Sequence, residues 1–136
     1  MNTIFISIKP EYTKQIENRK KPYELRNFNP KKKINKLYIY ETAPNSQLSY
    51  IAITDSPICY PDIITDYGEE SQRYNAGISK YKKAFPIIHL YKFAEPLKLS
   101  HLKEKYNFNA PQGFVYGETY DNLLNDINKY DLIKIF

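Results

Sequence analysis

Arg19-Lys20-Lys21-Pro22-Tyr23-Glu24-Leu25-Arg26 is the stretch on which the reading of this chain turns. Read as a strand with a period of two, it sets Lys21, Tyr23 and Leu25 on one side. Pro22, Glu24 and Arg26 fall on the other, so Glu24 and Arg26 are neighbours on one face. An ammonium, a carboxylate and a guanidinium crowded together are costly to bury and useful for gripping a polar ligand. The same residues also fit a plain structural ion pair, which adds little stability when exposed.

On the N-terminal side, Thr3 to Ile8 reads as a buried strand, and Pro10 opens a helix through about Asn18 in which Tyr12 and Ile16 share a face. On the C-terminal side come a Pro30-Lys31-Lys32-Lys33 loop and the strand Lys36 to Glu41. There Leu37 and Ile39 alternate with Tyr38 and Tyr40, a pattern that suits burial on both faces. Leu48 to Thr54 alternates as a further strand after the turn residues Thr42 to Ser46. Residues 61 to 83 are acidic first (Asp62, Asp66, Glu69, Glu70) and basic later, and predict one or two short helices around Gly77. Phe85 to Phe93 predicts a strand with Pro86 near its start. Ser100 is the expected N-cap of a helix from Leu102 to Tyr106. A turn leads into a strand ending at Tyr116, Thr119 or Asp121 opens a helix carrying Leu123, Leu124 and Ile127, and Leu132 to Phe136 closes as a strand. Six or so strands with short peripheral helices make an α+β chain and suit a small open β-barrel.

The length of 136 residues suits one domain spanning residues 1 to 136. Fourteen Tyr and seven Phe against four Gly imply many half-buried rings with wet hydroxyls. The net charge of +5 is unevenly spread. Residues 1 to 36 carry ten Lys and Arg against three Glu, a net +7, which leaves −2 for the rest. Such a patch suits a polyanion, nucleic acid first, as well as a solvated lysine-rich face. Cys59 has no partner for an internal disulfide, and with only His89 and His101 no zinc cluster or other cofactor is expected. No signal peptide or membrane span is legible, so a cytoplasmic location is expected.

The order of strand, Ile8-Lys9-Pro10-Glu11-Tyr12, helix, Lys21-x-x-Glu24-x-Arg26, strand Leu37 to Tyr40 and later Pro111-Gln112-Gly113-Phe114 resembles the ASCH family, the β-barrel group related to PUA domains. The likeness covers most of the chain, most strongly residues 4 to 55 and 85 to 116. The family pattern is Gly-x-Lys-x-x-Glu-x-Arg; Lys21, Glu24 and Arg26 match it, and Arg19 stands where the glycine is expected. The resemblance implies a PUA-like barrel whose cleft engages RNA or a modified nucleotide.

Arg26 can fork to a phosphate or carboxylate, Lys21 offers a point charge, and Glu24 can hold Arg26 or accept from an exocyclic amine. Ser7, Lys9 and Gln112 lie in the segments that carry the likeness. Tyr23, Tyr40, Phe114 and Tyr116 offer faces on which an unstacked base can lie. The resemblance also implies a hydrolase alternative. Some ASCH-type proteins are amidohydrolases on acetylated cytidine that use a Lys, a hydroxyl residue and a Glu, and others are proposed ribonucleases. In that alternative Lys21 and Glu24 take acid and base roles, although Glu24 stands where the hydroxyl is expected. A protein-interaction module is the third class.

Overall fold

The computed structural model describes residues 2–136, and its frame is one mixed sheet curled into an open half-barrel. Eight strands take part: β1 (Thr3–Ile8), β2 (Tyr23–Arg26), β3 (Lys36–Glu41), β4 (Gln47–Thr54), β5 (Ile58–Cys59), β6 (Lys83–Lys98), β7 (Phe114–Tyr116) and β8 (Leu132–Lys134). Their main order is β2-β6-β4-β3-β1-β7, with β5 and β8 also paired to β6. Only β1 and β3 run parallel. A parallel pair needs a crossover, and the helix α1 (Pro10–Glu17), with β2 behind it, supplies one.

The alternation in β1 explains why the sheet is buried on both sides. Ile4, Ile6 and Ile8 join Leu37, Ile39 and Leu90 in one cluster, closed by Ile16 of α1. Phe5 points the other way, toward Tyr38, Ile51 and Phe93, under the helices α3 (Leu99–Tyr106) and α4 (Asp121–Asp126). Burying both faces turns a strand into a near-continuous apolar run.

Several expectations need adjustment. Strand β6 is longer than Phe85 to Phe93; Pro86 and Ala94-Glu95-Pro96 break its alternation, and irregularities against β4 let it bend on through them. Helix α3 begins at Leu99 after Lys98, which makes no side-chain cap, so Ser100 lies inside the first turn. Residues 61 to 83 hold one helix, α2 (Glu69–Asn75), ended at Gly77 with φ +77°. A left-handed residue after a helix favours glycine, and here a Cβ would also collide with the Tyr60 hydroxyl. Among the described residues no helix is long and apolar enough to cross a membrane.

Candidate functional site

Strand β2 pairs with the start of β6 and leaves a gap toward β1. Arg26 spans it: its Nε donates to Glu24 Oε2 at 2.7 Å and its Nη2 to the Ser7 carbonyl at 2.9 Å. Glu24 and Arg26 therefore do share a face, as the period of two requires. Lys21 does not follow that period. It precedes β2, in the turn after α1, where its amide donates to the Gln15 carbonyl, and its ammonium swings to within 3.8 Å of Glu24 Oε1.

The turn that delivers Lys21 explains Arg19. Arg19 has φ +65°, the left-handed region that favours glycine. The conformation behind the expected glycine is thus kept by a residue that strains in it, and the Arg19 guanidinium lies 4.2 Å from the centre of the Phe136 ring. A stacked cation offsets part of that strain.

The residue that sequence reasoning left unplaced is Glu70. Its Oε1 lies 2.6 Å from Lys21 Nζ and accepts from the Tyr67 hydroxyl at 2.5 Å. Polar side chains fix the segment that carries it. Asp66 accepts from the Gly68 amide and Ser71 Oγ just before and within the first turn of α2, and those bonds with Gln72 hold its carboxyl below the usual carboxylate range. Asn75 clamps both backbone groups of Ile64, and the Tyr74 hydroxyl donates to the carbonyls of Ile58 and Lys82. Burial, and after it the bond to Glu70, pushes the Tyr67 hydroxyl well above the usual phenol value. Tyr67 therefore stays protonated and donating at neutral pH.

Lys21 and Glu24 are each only 5% exposed, yet both border a cavity of about 500 Å³. Ser7, Lys9, Arg26 and Glu70 border it too, together with the rings of Tyr12 and Tyr81. Ser7 Oγ is already committed, donating to the Pro111 carbonyl at 2.6 Å. Arg26 Nη2 also lies 2.7 Å from Glu24 Oε2, so the two N–H groups of Nη1 are the ones left outside these contacts, and Glu70 keeps Oε2. The cavity thus presents both donors and acceptors.

The other expected ligand residues lie elsewhere. Tyr40 is 3% exposed and packs on Phe108 in the core, so it offers no face to a base. Phe114 packs on Phe28 and Tyr116, whose hydroxyl accepts from the Lys31 amide; both rings lie against the Ile4, Ile6 and Ile8 cluster and do not line the cavity. Tyr23 stacks on Tyr67, and Gln112 is exposed in the preceding loop. The basic N-terminal patch also divides. Lys9, Lys21 and Arg26 border the cavity, whereas Lys32 does not line it and pairs with Glu118. Among the described residues no group of three or more His, Cys, Asp or Glu is placed to hold a metal.

No family model and no curated protein matches the sequence. Solved structures do. A tyrosine-to-phenylalanine variant of the ASCH protein from Zymomonas mobilis superposes with a TM-score of 0.66 at 25% identity, over 92% of this chain and 98% of that one. The chain shares the fold of this ASCH protein. The ASCH protein of the same organism without that substitution gives a TM-score of 0.65 at 22% identity, over 91% and 94% of the two chains. A serine-to-alanine variant gives 0.65 at 22%, over 96% and 97%. The open α+β barrel expected from the sequence is the observed one, and these structures share it.

Proposed function

We propose that this ASCH domain binds a nucleoside unit, free or within single-stranded RNA, in the cavity bordered by Lys21, Glu24, Arg26 and Glu70. The observation that carries the reading is that three separated motif residues and a carboxylate from a distant helix border one concave space that two tyrosines also line. Pockets that orient a small ligand combine flat apolar walls with a few converging polar groups. A base edge presents donors and acceptors side by side, which matches the free Arg26 N–H groups and Glu70 Oε2. A bare phosphate matches less well, because Glu24 and Glu70 already stand beside Lys21.

Calorimetric titration with the common ribonucleosides and their monophosphates tests the reading. Base-selective binding that Arg26→Ala weakens about tenfold or more is expected. Absence of binding by every nucleoside at millimolar concentration overturns it.

A hydrolase is the second reading, favoured by the Lys21 ammonium lying between two carboxylates. The resemblance to the acetylcytidine amidohydrolases calls for a Lys, a hydroxyl residue and a Glu; Lys21 with Glu70 supplies the first and the last, while Glu24 stands at the hydroxyl's position. In that chemistry a carboxylate accepts the proton of an attacking water, the acyl C–N bond breaks, and the amine of cytidine leaves with a proton. Turnover of N4-acylated cytidine that Lys21→Ala abolishes is the expected signature. Unchanged turnover in that variant removes Lys21 from the mechanism.

A further inference from the structure

The groove does not end at the Lys21 cavity. Beyond it the cleft widens into a second lobe of about 990 Å³ between α1 and the segment carrying α2. The two lobes adjoin, because Tyr12, Leu25, Glu70, Lys80 and Tyr81 border both. Their remaining walls differ: Lys21, Glu24 and Arg26 belong to the inner lobe alone, and Lys14, Lys20 and Ile78 to the outer.

Two large side chains stand in water at the outer lobe, Tyr12 at 39% and Ile78 at 62% exposure. Ile78 is held by its backbone, which follows the left-handed Gly77 and donates to the Arg73 carbonyl at 3.1 Å. An apolar side chain fixed in water on a concave wall is a surface that a flat ligand can cover. The outer lobe is nearly neutral: Lys14, Lys20, Lys80 and Arg73 are opposed by Glu11, Glu69 and Glu70. Attraction there comes from stacking more than from phosphate charge. Lys80, shared by both lobes, stands at their junction.

We propose that the outer lobe holds the nucleotide next to the one in the Lys21 cavity, so that the site recognises a dinucleotide step of single-stranded RNA. The second base lies against Tyr12 and Ile78, and the linking phosphate passes Lys80. This inference rests on the nucleoside reading above.

The test compares affinities of the intact protein for ribonucleosides, for dinucleoside monophosphates and for the same dinucleotides with the flanking base removed. The second nucleotide tightens binding about tenfold, and removing its base loses most of that gain. The Ile78→Ala, Lys20→Ala double variant, both positions exposed, lowers dinucleotide affinity toward the nucleoside value and leaves nucleoside affinity unchanged. Equal affinity for nucleoside and dinucleotide overturns the two-lobe assignment and spares the nucleoside reading. No binding of either removes the nucleoside reading, and this inference with it.

Discussion

Glu24 and Glu41 are two carboxylates buried almost equally, 5% and 6% exposed, and their surroundings differ in kind. Glu41 ends β3 and is met by neutral donors: Thr13 Oγ1 and Ser49 Oγ at 2.5 Å and Gln47 Nε2 at 3.2 Å. These contacts tie α1 to β3 and β4, and Glu41 borders neither lobe of the groove. Glu24 is met by Lys21 and Arg26 and opens onto a cavity. Burial by itself does not separate a carboxylate sealed in the frame from one that faces a cavity. The charge of the partners and the space beside them do.

Substitutions that exchange the two behaviours break the comparison. Glu41→Ala should have the largest effect on stability, about 2–3 kcal/mol by urea denaturation, because it leaves the fully buried Ser49 hydroxyl without an acceptor and opens a void. Its effect on ligand affinity should be small. Glu24→Gln should do the reverse, lowering nucleoside affinity about tenfold or more while the urea midpoint records a loss of about 1–2 kcal/mol. A larger stability loss at Glu24 than at Glu41, with binding intact, would reverse the two assignments.

Arg19→Gly sharpens the account of the motif's first position. Glycine relieves a left-handed strain of about 1 kcal/mol but removes the Phe136 contact and adds unfolded-state entropy. A net change within about 1 kcal/mol is expected in the same denaturation assay. A large loss would mean that the ring contact, not the turn, fixes Arg19.

Glu17 supplies the smallest effect and a surface counterpart to both buried carboxylates. The Tyr50 hydroxyl donates to it at 2.6 Å and Lys92 lies 3.2 Å away. The Tyr50 bond first, with Lys92 beside it, holds Glu17 below the usual carboxylate range despite some burial. A depressed folded value means that this stabilisation is present above the unfolded value and lost as pH falls through the folded one. Tyr50→Phe should return the Glu17 titration, followed by NMR, toward the ordinary value. No movement would assign the depression to Lys92.

Legibility in the sequence followed the range of the interactions. The alternation in Thr3 to Ile8 and Lys36 to Glu41, and Pro10 at the first turn of α1, are local signals that the structure repeats. Strand β5 has two residues and no pattern of its own; it exists because β6 offers it an edge. Tyr40 illustrates the limit at single residues. On a strand covered on both faces, period two says which face a ring takes but not which face holds the ligand.

The sequence by itself determined the α+β order, because strand alternation is a property of neighbouring residues, and its likeness to the ASCH pattern singled out Lys21, Glu24 and Arg26 and implied the barrel. It also marked Arg19 as standing where a glycine is expected. Only the tertiary structure decided that Lys21 leaves the strand's face to reach Glu24, and that Glu70, 49 residues away, completes the cluster. Those contacts depend on where the segment after β5 packs across α1 and β2. That packing rests on Asn75, Tyr74 and Gly77 acting together over a distance that no local pattern records.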